Sequence, residues 1–123
     1  MKSILSNSRK HDISFSASGL IEISARIARK LSLSSGDVID IAYQYGELYL
    51  YVKFRAGTYT GRHIGRVWAT SNGKGTFRTS SKKLANAVLI GAEVNGDRLR
   101  CPCGREIERD DTKYITIIYR NSL

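Results

Sequence analysis

The stretch from Ile13 to Val52 constrains the fold most, because its apolar pattern changes period several times within one short segment. It reads ISFSASGLIEISARIARKLSLSSGDVIDIAYQYGELYLYV. Alternating apolar residues near both ends predict four strands, two before and two after a helix. Ser24 stands where a helix N-cap belongs, and Ile27 and Leu31 share one face of the predicted helix, which runs from Ala25 to Leu31. The stretch therefore predicts the order strand, turn, strand, short helix, turn, strand, turn, strand.

A second stretch repeats this order at low identity. Asn72-Gly73 predicts a hairpin turn, Ser80 or Ser81 stands at the next N-cap position, and Gly96-Asp97 corresponds to the earlier Gly36-Asp37. We therefore predict a single domain over residues 1–123, with repeat one at about 13–52, a connector at about 53–66 and repeat two at about 67–119. A further strand is expected within the connector, from Gly57 to Thr60.

The core of the first stretch, GLIEISARIARKLSLSSGDVIDI, resembles the AbrB/MazE/SpoVT family of swapped-hairpin DNA-binding domains. The resemblance implies a mainly β fold with two short helices, forming a small swapped-hairpin, double-psi-like barrel from two tandem strand–helix–strand repeats. In that family two chains exchange hairpins to complete one core. A chain with two copies could close the same core alone, so we expect an internal pseudo-dimer that folds as a monomer, with a homodimer left open.

The charge of the chain favours a polyanionic partner. Lys and Arg number 20 against 11 Asp and Glu, for a net charge of +9, and nucleic acid is the partner expected for such a surplus. A soluble protein that is simply basic is the alternative. No apolar run reaches the ~18 residues of a membrane span, and no signal-peptide core follows Met1. We therefore expect a cytoplasmic protein with no membrane partner.

The resemblance implies duplex DNA as ligand and a transcriptional or DNA-architectural role, because members of the family contact DNA through arginines at the first hairpin and on the short helix. The nucleic-acid-binding residues predicted on this basis and by the second basic patch are Arg9, Lys10, Arg26, Arg29, Lys30, Lys74, Arg78, Lys82 and Lys83. Arg29 aligns with a helix arginine of the family pattern, whereas Leu20 and Ala28 replace two others. These departures favour the alternative of a non-enzymatic interaction or assembly module that keeps the barrel without binding DNA. Solvated charges on amphipathic helices are the plainer interpretation of the same residues.

The connector and the residues beside it interleave basic and aromatic side chains, a pattern that suits single-stranded nucleic acid. Trp68, next to Val67, is expected in the core, and Tyr59, near glycines, is expected to be exposed.

Cys101-Pro102-Cys103 could place two thiols on the same side of one strand, but zinc needs four ligands and only His11 and His63 remain as partners. Gly104 is expected to turn the chain, and the carboxylates between Glu106 and Asp111 suggest a solvated hairpin tip. We therefore predict no metal, no cofactor and no enzymatic activity.

Overall fold

The computed structural model describes residues 11–119, so the predicted contacts Arg9 and Lys10 lie outside the described part. Its elements are β1 (Ile13–Ser16), β2 (Leu20–Ile23), α1 (Ala25–Lys30), β3 (Val38–Gln44), β4 (Glu47–Phe54), β5 (Trp68–Ala69), β6 (Phe77–Ser80), α2 (Lys82–Gly91), β7 (Arg98–Cys101), β8 (Cys103–Arg109) and β9 (Thr112–Ile117). The prediction of a mainly β chain with two short helices is confirmed. Between residues 11 and 119 the strands form two antiparallel sheets and no closed barrel.

The strand order has an approximate two-fold pattern. The five-stranded sheet runs β5-β6-β2-β1-β7 and the four-stranded sheet runs β3-β4-β9-β8. Two hairpins therefore meet at the β6–β2 pair in the first sheet, and two others meet at the β4–β9 pair in the second. The inner faces of the sheets and the apolar faces of the helices form one cluster of buried residues, among them Ile13, Phe15, Ile21, Ile27, Leu50, Val67, Phe77, Ala85, Val88, Ile115 and Ile117.

Both predicted helix caps are present. Ser24 Oγ accepts a hydrogen bond from the Ile27 N–H at 3.3 Å, and Ser81 Oγ accepts one from the Leu84 N–H at 3.1 Å. These bonds satisfy amide groups that a helix start leaves unpaired, which explains why each helix follows its serine directly.

Each hairpin turn packs against the helix of the other half of the chain. Gly19, at φ +104°, accepts from the Ser81 N–H at 2.8 Å, and a Cβ there would lie 2.9 Å from the backbone nitrogen of Lys82. Gly75, at φ +84°, lies against α1, where a Cβ would be 3.3 Å from that of Ala25. Glycine is therefore required for close approach at Gly19, and both turns use the left-handed backbone that glycine adopts readily.

The structure corrects three expectations for the connector and its end. The predicted strand from Gly57 to Thr60 is wrong, since these residues form turns and irregular backbone. Tyr59 is half-buried, because its hydroxyl donates to the Gly36 carbonyl at 2.6 Å and its ring contacts that of His63. Trp68 is 51% exposed, so its assignment to the core is also wrong. Trp68 pairs with Arg78 on the outer face of the five-stranded sheet, whereas Val67, just before β5, is buried in the core.

The cysteines do not share one strand, which corrects another expectation. Cys101 ends β7 in the five-stranded sheet and Cys103 begins β8 in the four-stranded sheet. Gly104 lies within β8, and the chain instead turns at Asp110 and Asp111, both with positive φ. The two thiols are buried and free.

The two Gly-Asp pairs differ as well. Asp37 is buried, and its carboxylate accepts from the Ser34 and Ala56 N–H groups and from Arg55. Asp97 is exposed. The likeness between the pairs is therefore one of sequence position alone.

Candidate nucleic-acid interface

One predicted DNA contact, Arg26, forms an ion pair with a buried carboxylate. Asp12 accepts from Arg26 Nη2 at 2.7 Å, from Ser24 Oγ at 3.2 Å and from the Cys103 N–H at 2.8 Å. Burial alone would raise the pKa of Asp12, but the hydrogen bonds from Arg26 and the Cys103 amide outweigh it and hold that pKa below its usual value. Because Cys103 begins β8, this carboxylate joins β1 and α1 to the four-stranded sheet.

Lys30 is engaged in a similar way at the surface. Its Nζ lies 3.3 Å from Glu106, whose second oxygen lies 3.6 Å from Lys113. The hydrogen bond from Lys30 is the main reason that the pKa of Glu106 is lowered. Lys30 is therefore less available to a ligand than a solitary lysine would be.

The remaining described residues of the predicted set are exposed, and their side chains have no hydrogen bond or ion pair within residues 11–119. They are Arg29, Lys74, Arg78, Lys82 and Lys83. Lys82 and Lys83 begin α2, Lys74 lies in the β5–β6 turn and Arg29 lies on α1, so the structure spreads them over several elements. Only Arg78 lies on the face of a sheet.

The outer face of the five-stranded sheet carries a row of side chains that crosses all five strands. Backbone pairing places Trp68 opposite Arg78, Arg78 opposite Glu22, Glu22 opposite Ser14, and Ser14 opposite Arg100. The neighbouring residues along these strands, such as Ile13, Ile21 and Phe77, are buried on the inner face. Strand alternation therefore directs the row toward solvent.

Arg98 lies on the same face as this row, opposite Ser16. Arg98 and Arg100 were missed by the sequence prediction, although Arg98-Leu99-Arg100-Cys101 alternates polar and apolar residues and could have revealed them. Both arginines are exposed, and neither has a hydrogen bond or ion pair with the part of the chain that the structure describes. We call Arg78, Arg98 and Arg100 together the basic sheet face.

The charges of this face suit a phosphate backbone. Among its outward strand residues, three arginines stand against one acid, Glu22. Three strand spacings separate Arg78 on β6 from Arg100 on β7, which gives about 14 Å between their backbones. That span is close to the width of the major groove of B-DNA, about 12 Å. The face can therefore present cations to phosphates on either side of a groove.

The two departures from the family pattern occupy different environments. Leu20 is half-buried on the outer face of the same sheet, opposite Ser80, so the face holds an apolar residue where the resembled family has an arginine. Ala28 is 4% exposed and packs in the core. The substitution at Ala28 therefore lies on the inner face of α1 and takes nothing from the solvent-facing surface.

The described residues were also compared with the requirements of a metal site, a reactive thiol and a membrane-spanning helix. No group of three potential ligands for a metal ion occurs within residues 11–119. Burial raises the pKa values of the Cys101 and Cys103 thiols to about 12, which disfavours the reactive thiolate. No helix in the described part of the chain is long and apolar enough to cross a membrane.

Comparisons with protein-family models, with curated proteins and with solved structures find no match to this chain.

Proposed function

We propose that the protein binds duplex DNA through the basic sheet face. The observation that carries the proposal is the position of Arg78, Arg98 and Arg100 on one solvent-facing sheet surface without a described partner. An unpaired arginine can give a charge-assisted hydrogen bond to phosphate, whereas one held by a carboxylate must first leave it. The same guanidinium groups can reach guanine edges in the major groove.

We infer further that the chain is a tandem form of the AbrB-like swapped-hairpin fold. The support is the reciprocal packing of the two hairpin turns, Gly19 against the start of α2 and Gly75 against the start of α1. The mirrored strand order of both sheets supports the same inference. In this arrangement the two repeats serve as an internal pseudo-dimer, so the protein needs no second chain to fold.

Basic residues beyond the sheet extend the proposed surface. Lys82 follows β6 at one end of the central strands, and Lys74 lies in the turn at the other end. Such contacts with the DNA backbone supply affinity and register with limited base readout. A cytoplasmic regulator or architectural protein of low sequence specificity is the role that this arrangement supports best.

A non-enzymatic interaction module is the second candidate. Leu20 on the outer sheet face favours it, and so do two exposed tyrosines near the β3–β4 turn, Tyr43 at 63% and Tyr45 at 93%. Aromatic side chains on a surface are typical anchors of protein interfaces. On this alternative the arginines serve solubility alone.

Titration of a fluorescent duplex, read by anisotropy at about 50 mM and about 200 mM salt, separates these functions. We expect saturable binding that weakens strongly with salt. Arg98→Gln with Arg100→Gln should weaken binding about tenfold or more and lower the salt slope by about two. Arg105→Gln with Arg109→Gln removes the same charge from β8 of the other sheet and should change affinity less than about twofold. Equal losses in both double variants, or no saturable binding, would contradict the proposed interface.

A further inference from the structure

The sole tryptophan of the chain lies at a corner where the basic sheet face meets the connector. Trp68 is 51% exposed, although the residue before it, Val67, is fully buried. Its indole borders a cleft of about 510 Å³, which is also lined by His63, Arg66 and Arg78. An exposed indole in a cleft with two arginines needs a physical explanation, since so large an apolar ring is usually mostly buried.

Arg66 holds this indole from one side. The centre of its guanidinium lies 5.9 Å from the Trp68 ring and 5.2 Å from the Tyr59 ring, so the cation is placed between two aromatic side chains. Its Nη2 donates to the Gly61 carbonyl at 3.0 Å, while its Nε–H is buried without an acceptor among the described residues. Arg66 therefore lies against one part of the indole, and the remainder of the ring is exposed to solvent.

A second cleft of about 540 Å³ shares one lining residue with the first. Both clefts are lined by His63, and the second is also lined by Lys53, Arg62 and Lys83, with Asp40 as its one acidic residue. Arg62 and Lys83 are exposed and have no hydrogen bond or ion pair with any described residue. Cationic side chains therefore line both clefts, with Arg78 beside Trp68 in the first and Arg62 with Lys83 in the second.

Contacts among the connector's own residues hold His63 in place, so the wall shared by the two clefts has a defined shape. The His63 ring lies 4.9 Å from that of Phe54 and 4.7 Å from that of Tyr59, and its Nε2 lies 3.1 Å from the Thr60 carbonyl oxygen. A preformed site costs less ordering entropy on binding than a flexible loop does.

We propose that this corner binds single-stranded nucleic acid, with an unpaired base stacked on Trp68 and the phosphates on either side held by Arg78 and by Arg62 with Lys83. Base-on-aromatic stacking beside a basic groove is how proteins bind unpaired strands without a strong sequence preference. A duplex offers no free base face along its length, so this site selects single strands, ends and bulges. The basic sheet face and this corner share Arg78, which would let one protein contact a duplex and an adjoining unpaired segment.

The tryptophan itself reports on the proposed contact. We expect a thymidine dodecamer to quench Trp68 fluorescence saturably, because stacking brings the base against the only indole in the protein. A blunt duplex of the same length should quench much less at equal occupancy, because only its two terminal base pairs present a free base face. A uridine dodecamer tests RNA in the same way, and quenching by either strand supports the site. Binding of both dodecamers without quenching would overturn it.

Variants separate this site from the proposed duplex interface. Trp68→Ala should weaken binding of a labelled thymidine dodecamer about tenfold and leave duplex affinity nearly unchanged, whereas Trp68→Phe should retain most of the affinity. Tyr45→Ala is the matched control, because it removes a 93% exposed aromatic ring from the β3–β4 turn. Arg98→Gln with Arg100→Gln should show the reverse pattern, with loss of duplex binding and retention of the dodecamer. Circular dichroism confirms that each variant is folded. Equal dodecamer affinity in Trp68→Ala and the native protein would contradict the proposal, whatever the duplex titration shows.

Discussion

The outer faces of the two sheets carry different chemistry on the same backbone pattern. On the four-stranded sheet, Tyr51 and Tyr114 pack with ring centroids 4.9 Å apart, and the Tyr51 hydroxyl donates to Asp40 at 3.3 Å. The Tyr49 hydroxyl donates to Glu47 at 2.7 Å, so both hydroxyls have carboxylate partners on that sheet. Arg109 on β8 borders Tyr49 and Tyr114 and is the one arginine of this tyrosine cluster, without a hydrogen bond or ion pair to a described residue. On the five-stranded sheet three outward arginines, Arg78, Arg98 and Arg100, share one face and none has a described partner. The difference teaches that the location of unpaired charge, more than the total charge of +9, distinguishes a candidate binding face.

Removal of Asp12 should have the largest effect on stability, because its carboxylate joins the end of β1 and α1 to the four-stranded sheet. Asp12→Ala leaves Arg26 without its partner and the buried Cys103 N–H without an acceptor, so we expect a loss of about 3 kcal/mol in the free energy of unfolding. Urea unfolding followed by circular dichroism measures the loss. Asp97→Ala is the control, because Asp97 is exposed and should cost less than about 0.5 kcal/mol. Equal stability of the two variants would show that Asp12 does not join the sheets.

Low pH should weaken the same contacts, because it protonates the Asp12 carboxylate. The pKa of Asp12 is lower in the folded chain than its ordinary value of 3.8. Its contribution to stability is therefore fully present above about pH 4 and is lost as pH falls through the lower, folded value. Urea midpoints measured from about pH 6 to about pH 3 should fall less steeply in Asp12→Asn than in the native protein. Parallel curves would contradict the assignment.

The acidic residue on the outer face of the five-stranded sheet, Glu22, offers a test with a smaller expected effect, in which DNA binding becomes tighter. Glu22 lies between Arg78 and Ser14 in the cross-strand row, so Glu22→Gln should reduce repulsion of phosphate and tighten duplex binding about threefold. Glu108→Gln removes the same charge from β8 of the other sheet and should leave affinity nearly unchanged. Anisotropy titration at low salt reads both variants. A gain of equal size in both would mean that net charge alone controls binding.

The sequence was sufficient for the elements that depend on local patterns. Ser24 marks the first helix start and the pair Ser80-Ser81 the second, because capping involves residues only three positions apart, and the structure selects Ser81. The alternation around Ile13 and Ile21 indicates the inner face of the first hairpin for the same reason. Local signals of this kind require no knowledge of the rest of the chain.

Contacts between residues that are far apart in the sequence could not be predicted from such local patterns. Arg26 has the sequence context of a DNA contact, yet its partner Asp12 reaches it through the β1–β2 hairpin, at whose end the Asp12 carbonyl accepts from the Ser24 N–H. Trp68 was assigned to the core because it follows Val67 in a predicted strand, but its pairing with Arg78 places it on the outer face of the five-stranded sheet. Arg98 and Arg100 gained their place on the candidate interface only when β7 paired with β1.

The central claim is that duplex DNA lies on the outer face of the five-stranded sheet, and amide chemical shifts measured by NMR test it most directly. Addition of an unlabelled duplex to ¹⁵N-labelled protein should shift the amides of β6, β2, β1 and β7 and leave those of β3, β4 and β9 nearly unchanged. The shifts should diminish together as salt is raised. Shifts confined to the four-stranded sheet, or none at a concentration where anisotropy shows binding, would contradict the claim.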